Sequence, residues 1–138
     1  EERLGDQLDT FAGDWTDWWA DGIGSAAVPL GRNRQSQGDI RTAQTLNALA
    51  DVVADAPSPE VPAEVERAYE EMALFDVHTW GAANPWEQGA YGMAAGEYQW
   101  DRKVGFAYSA EERVRTLLDG GLRRIARVEE DLVELGLG

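Results

Sequence analysis

The sequence contains no cysteine, which excludes disulfide bonds, thiolate zinc sites and a cysteine nucleophile. No apolar run approaches the length of a membrane span, so we expect no membrane partner. Basic residues are scarce: 12 Lys and Arg stand against 26 Asp and Glu, a formal net charge of −14 with the single His78 neutral. A field of that sign repels polyanions, so we expect no nucleic-acid partner.

Short catalytic motifs are also missing. The chain has no GxGxxG, Walker, GxSxG or HExxH sequence, and none of its serines that could pair with His78 lies in a context typical of a strained nucleophile turn. The first residues lack the basic-then-apolar pattern of a signal peptide. The compartment therefore stays open, with the cytoplasm slightly favoured. Because the chain begins Glu-Glu, we expect it to be an excised part of a longer polypeptide.

What is present is helical. Hydrophobic residues make up 43% of 138 positions, enough for one domain with a single core. The patterning predicts an all-α fold, an antiparallel three-helix bundle over 29–138 with helices at about 29–56, 59–77 and 97–136. A short connection joins the first two helices, and a long loop separates helices 2 and 3. Residues 1–28 are predicted to form an irregular leading segment rich in Trp and Asp.

Each predicted helix rests on an apolar seam with residues three and four apart. The seams are Ile40, Ala43, Leu46, Ala50 and Val53; then Val61, Val65, Ala68, Met72 and Phe75; then Val104, Ala107, Glu111, Val114, Leu118, Gly121, Ile125, Val128, Leu132 and Leu135. Ser58 is the predicted N-cap of the second helix, with Pro59 in its first turn.

Two features interrupt the third seam, Glu111 and the adjacent pair Gly120 and Gly121. Two glycines inside a helix cost about 1 kcal/mol each relative to alanine. We therefore predict that the pair marks either a kink or a close crossing by a neighbouring helix.

The segment Gly-Asp-Trp-Thr-Asp-Trp-Trp-Ala-Asp-Gly at 13–22 holds three Trp and three Asp. Trp faces stack on the CH-rich faces of pyranose rings while carboxylates accept the sugar hydroxyl protons, so the segment could bind carbohydrate. Two alternatives stay open. The Trp side chains could simply close the open end of the bundle, or the Asp residues could form a solvated surface. A calcium loop is disfavoured because the EF-hand glycine and distal glutamate are missing.

His78 is predicted to lie where the second helix ends, at the start of the long loop 78–96. Loops of that length are often functional. A lone histidine there is either a helix C-cap, a satisfied core residue or a metal ligand. A catalytic metal needs three or more protein ligands, and only carboxylates could join His78 in this chain. A metal site would therefore need residues from outside it.

A family resemblance covers essentially the whole chain. The order Trp18-Trp19, Gly22, Ser25, Arg34 and Arg41-Thr-Ala-Gln-Thr-Leu46, followed by His78-Thr-Trp-Gly-Ala-Ala-Asn84, resembles glycoside hydrolase family 38, the α-mannosidases and their bacterial relatives. The resemblance implies a helical middle domain that follows an α/β catalytic domain of the same polypeptide. That domain would supply the aspartate nucleophile and the acid/base carboxyl of a retaining mechanism.

Under this resemblance, His78 falls on the family's zinc-ligand histidine and Trp19 on the tryptophan that packs against the sugar. We add Asp17 and Trp80 as predicted substrate-binding residues. Zinc would be shared with the catalytic domain. The sequence departs from the family where Thr79 and Trp80 follow the histidine in place of an aspartate, and where Ala26 and Ala27 follow Ser25 in place of Arg-Pro. These departures leave the sugar specificity open.

The sequence thus predicts one wall of a glycosidase active site, with no catalytic residue in this chain and no activity when it is alone. The alternatives are a free-standing helical module that binds carbohydrate or protein, and a structural spacer. An excised domain would also expose Trp side chains that its neighbour normally covers, so a dimer through them is expected to be possible.

Overall fold

A computed structural model of the chain describes residue 12 and residues 26–77 and 92–136. Those ranges contain three helices, α1 (Ala27–Val53), α2 (Val61–Asp76) and α3 (Gly92–Glu134), and no strand. The helices pack against one another, so the predicted all-α three-helix bundle is confirmed. α3 begins at Gly92, five residues before the predicted start near 97, and at 43 residues it is the longest of the three.

Cross-helix hydrogen bonds give the direction of each helix. Near the start of α1, Asn33 bonds to Asp76 at the end of α2, so these two helices are antiparallel. Lys103 in the first half of α3 bonds to the same end of α2, which makes α2 and α3 antiparallel too. Asn47, late in α1, donates to the carbonyl of Leu117 in the second half of α3. α1 and α3 therefore run parallel, and the topology is up, down, up.

The buried face of α1 repeats at intervals of three and four residues, as a helix with one packed stripe does. The buried members are Ala26, Pro29, Asn33, Ser36, Ile40, Ala43, Asn47 and Ala50. Three of the predicted seam residues are among them. The prediction was wrong for Val53, which is exposed, and Leu46 is only half-buried. The buried face of α1 consists largely of small and polar side chains because α1 lies close to α3.

α3 buries positions 103, 107, 110, 114, 117 and 121, again at heptad spacing. The predicted place of Glu111 in this seam was wrong: Ala110 is the fully buried residue, and Glu111 lies at the edge, where it pairs with Arg32 and Arg115. α3 packs against two helices at once, so its buried face is wider than a single seam. The centre of that face is therefore displaced by one residue from the apolar pattern in the sequence, to Ala110. The carboxylate at 111 is consequently no defect in the core.

The glycine pair in α3 confirms the predicted close crossing at Gly121. A Cβ added to Gly121 would lie 3.0 Å from the Cβ of Leu46 and 3.2 Å from the backbone nitrogen of Asn47, whereas one added to Gly120 would meet nothing within 4 Å. α3 remains one continuous helix through the pair. Gly121 is therefore the point at which the backbones of α1 and α3 come together.

The start of α2 corrects another prediction. The helix begins at Val61 with Glu60 as its N-cap, no side chain caps it, and Pro62 rather than Pro59 stands in its first turn. Ser58 contributes its backbone carbonyl to the Val61 amide instead of its hydroxyl. Ala68, Met72 and Phe75 of the predicted seam are buried. In the ranges described, no helix is both long and apolar enough to cross a membrane.

Candidate functional site

The four residues predicted to bind metal or substrate, Asp17, Trp19, His78 and Trp80, lie outside the described ranges. Their roles stay predictions. The described residue nearest to His78 in the chain is Val77, the C-cap of α2. The site that can be built from the structure is therefore the C-terminal end of α2, which leads directly to His78. Arg34 and Arg41, two of the residues on which the family resemblance rests, are exposed on α1.

The end of α2 is capped by a buried lysine from another helix. Lys103 of α3, the only lysine in the chain, is 5% exposed, and its Nζ donates to the carbonyls of Leu74 and Val77 at 2.8 Å each. The last carbonyls of a helix lack partners within the helix and carry its negative dipole end. A cation is therefore well placed there. At these two carbonyls Lys103 supplies the capping that the sequence also allowed for His78.

Burial and a nearby carboxylate act on Lys103 in opposite directions. Burial lowers the pKa of the Lys103 amine because a charged group loses its hydration, and the charge of Asp76 partly offsets this by favouring the ammonium form. The two carbonyl acceptors also suit a charged donor. We describe Lys103 as the lysine clamp of α2.

A second anchor comes from α1 and holds the Asp76 carboxylate by both oxygens. The Asn33 amide donates to Oδ1 at 2.8 Å, and the Gln37 amide donates to Oδ2 at 2.7 Å. Asn33 is fully buried, and its amide also lies 3.5 Å from the Met72 carbonyl. The buried Oδ1 of Asn33 meets no donor among the residues that the structure describes. The last turn of α2 is thus tied to both other helices by polar contacts.

This arrangement fixes position rather than performing chemistry. The donors are one amine and two amides, and the acceptors are the Asp76 carboxylate and backbone carbonyls at the end of α2. They hold the final turn of the helix in one place relative to α1 and α3. The residue whose backbone that turn leads into is His78.

Lys103 and Asn33 were missed by the sequence reasoning. A signal for Lys103 was present, since position 103 precedes Ala107, Ala110 and Val114 at the heptad spacing of the buried seam. A lysine in such a position has to reach an acceptor or a carboxylate inside the bundle. Asn33 stands likewise in the buried stripe of α1.

No group of three or more His, Asp or Glu side chains that could hold a metal occurs within residues 26–77 and 92–136. Neighbouring carboxylates do occur in these ranges, but they form salt bridges with arginine. Arg113 bonds to both Glu64 and Glu71, and these hydrogen bonds raise the pKa of its guanidinium.

The lysine clamp leads to a chemical prediction. Because Lys103 is the only lysine and is buried, we expect an amine-selective acylating reagent to modify it at least about 100-fold more slowly in the native chain than in the unfolded chain, since reaction requires local opening of α2. The measurement is peptide mass spectrometry over a time course, with the α-amino group as the internal control. Modification of native Lys103 at the unfolded rate would contradict the clamp.

No family model, no curated protein and no solved structure matches this chain.

Proposed function

We propose that this bundle is the middle domain of a glycoside hydrolase resembling the α-mannosidases. It would form one wall of the active site and supply His78 as a zinc ligand for hydrolysis of α-glycosidic bonds. The observation that carries the proposal is the anchored end of α2. Lys103 from α3 bonds to Val77, one residue before His78, and Asn33 from α1 bonds to Asp76, two residues before it.

The energetic cost of this anchor supports a positioning role. Burying the Lys103 amine and the Asn33 amide costs both groups their hydration, and an apolar pair of the same volume would pack the bundle with less penalty. A bundle that served only as a structural spacer would need no more than such apolar packing. A metal ligand, by contrast, must be held within a few tenths of an ångström, and supporting hydrogen bonds serve that purpose.

The residues present in this chain determine which roles it would have and which roles the catalytic domain would have. Zinc would be shared with a preceding α/β domain and would act as a Lewis acid and template for the sugar hydroxyls. Trp19 and Trp80 would present aromatic faces to the sugar, and Asp17 would accept its hydroxyl protons. The nucleophile and the acid/base group would come from the α/β domain, so the isolated 138-residue chain is expected to be inactive.

The experiment uses the full polypeptide that contains this chain, as wild type, as His78→Ala and as the matched control Thr79→Ala. We expect His78→Ala to lose most of its zinc and to lower kcat/KM for aryl α-mannosides by about 100- to 1000-fold, the usual scale for removing one group that stabilises charge electrostatically. Thr79→Ala should keep its zinc. Full zinc content and activity in His78→Ala would contradict the proposal.

The coding sequence upstream of Glu1 tests the rival hypothesis of a free-standing binding module. The glycosidase proposal requires coding sequence for an α/β domain continuous with and upstream of Glu1, including the carboxylates of a retaining mechanism. An independent start without such a domain would favour the module.

A further inference from the structure

The exposed side of α2 changes from charged to apolar in its last turn, next to His78. The exposed residues that recur along this side of the helix are Ala63, Glu66, Arg67, Glu70, Ala73, Leu74 and Val77. The middle of the series carries three charges, whereas its last three members carry none. Leu74 is 40% exposed and Val77 is 50% exposed. The apolar part of this side therefore lies at the anchored end of the helix.

Tyr98 of α3 extends this apolar surface. Ser109 of α3 bonds to Glu71 of α2, and Tyr98 stands about three full turns before Ser109, so both lie on the same side of α3. Because α3 is antiparallel to α2 and Lys103 is level with Val77, Tyr98 lies just past the end of α2. It is 66% exposed. We call the surface formed by these three side chains the proximal patch: Leu74, Val77 and Tyr98.

Charged side chains border the proximal patch. Glu70 precedes Leu74 by one turn of α2, Arg102 follows Tyr98 by one turn of α3, and both are exposed. An apolar centre with a charged rim, and with tyrosine in the centre, is the usual composition of a protein interface. The patch is therefore suited to contact with another folded domain.

The polypeptide that precedes the bundle enters at the same end. Asn33 lies less than two turns into α1, which begins at Ala27, and it bonds to Asp76 in the last turn of α2. The start of α1 is therefore at the end of the bundle that carries the proximal patch. Any domain upstream of Glu1 is joined to the bundle through this end and not through the end at the α1–α2 turn.

We propose that the proximal patch is the surface on which the preceding α/β domain docks. The assignment rests on the function proposed above and adds the place of contact. A zinc ion shared by His78 and that domain would lie about 2 Å from its ligands on both sides, so the domain has to approach the residue that follows Val77. Lys103 and Asn33 fix the turn before it, so the domain meets a surface that is already in position.

Photo-crosslinking in the full polypeptide tests the docking surface. Leu74→p-benzoylphenylalanine should crosslink on irradiation to residues upstream of Glu1, which peptide mass spectrometry identifies. The matched control places the same photoreactive group at Val52, which is 79% exposed in the last turn of α1 at the opposite end of the bundle. The control should give no crosslink upstream of Glu1.

Three outcomes would overturn the proposal. Crosslinks from position 74 that fall only on residues 78–91 would show that another part of this chain covers the patch. Crosslinks only to a second copy would show a contact between copies. Absence of crosslinks from position 74, or equal yields upstream of Glu1 from positions 74 and 52, would show no preferred docking at the patch.

A charge introduced at the contact provides a second measurement. Tyr98→Glu, added to the photoreactive variant at position 74, should lower the yield of upstream crosslinks by at least about tenfold, because docking would bury a carboxylate. Val133→Glu adds the same charge at a site that is 64% exposed near the far end of α3 and should leave the yield unchanged. Circular dichroism should match in both variants. An unchanged yield in Tyr98→Glu would contradict the proposal.

Failure of docking and failure of the zinc role give different results. Upstream crosslinks from position 74, in a polypeptide whose His78→Ala variant keeps its zinc, would support the docking surface and contradict the ligand role. Loss of zinc in His78→Ala without upstream crosslinks from position 74 would support the ligand role and overturn the docking surface.

Discussion

Replacing Gly121 by leucine is expected to lower the free energy of unfolding by about 3 kcal/mol. The first added atom would already lie 3.0 Å from the Leu46 Cβ and 3.2 Å from the backbone nitrogen of Asn47. A backbone atom cannot rotate away, so α1 and α3 would have to separate. Separation would also stretch the 2.8 Å bond that Asn47 donates to the Leu117 carbonyl. Urea denaturation followed by circular dichroism measures the loss.

The neighbouring glycine provides the control. A Cβ at Gly120 would meet nothing within 4 Å, so Gly120→Ala is expected to stabilise the chain by about 0.5–1 kcal/mol through helix propensity alone. Opposite signs at adjacent positions would show that contact, and not helix propensity, decides the effect. A Gly121→Leu variant as stable as wild type would contradict the close crossing.

Converting Asn33 to aspartate is expected to lower the free energy of unfolding by about 3 kcal/mol at neutral pH, because it places a second carboxylate in a fully buried position. The amide that donates to Asp76 Oδ1 at 2.8 Å would become a like charge. The end of α2 would then be pushed away from α1. Thermal and urea unfolding measure the global effect, and amide exchange at Val77, whose N–H bonds to Ala73, measures the local one.

Gln37→Glu is the matched control for this change. It makes the same conversion of amide to carboxylate against the other oxygen of Asp76, but at a half-buried, water-accessible position. Screening by water should limit its effect to about 1 kcal/mol. If Asn33→Asp and Gln37→Glu had equal effects, the buried anchor would have no special importance, and the case for a positioned α2 terminus would fail.

The sequence predicted the bundle because its apolar residues follow the helical period and its short first connection forces α1 and α2 to be antiparallel. The glycine pair in the third seam predicted either a kink or a close crossing, and the structure shows a close crossing at Gly121. These features depend on local pattern and on chain connectivity, both of which are written in the order of residues.

The anchor at the end of α2 could not be predicted in the same way. Asn33 and Lys103 are separated by 70 positions in the sequence, and although their spacing places them on buried faces, the groups they bond to become identifiable only when the partner helix is placed. Burial of a polar side chain depends on acceptors from other elements. The displaced centre of the α3 seam, with Ala110 buried in place of Glu111, likewise follows from having two partner helices at once.

The role proposed for His78 would tie the bundle to the proposed reaction. Its place directly after the anchored turn gives a physical reason for a lysine and an asparagine inside a small bundle.

Zinc K-edge X-ray absorption of the full polypeptide tests this central claim most directly. The zinc that His78→Ala retains should show one imidazole fewer among its ligands than the zinc of wild type, seen as a loss of the multiple-scattering features that a bound imidazole ring produces. The wild type should show a zinc–nitrogen distance near 2.0 Å, as is typical of histidine ligands. An unchanged spectrum at equal zinc content would contradict the account and would leave His78 outside the metal site.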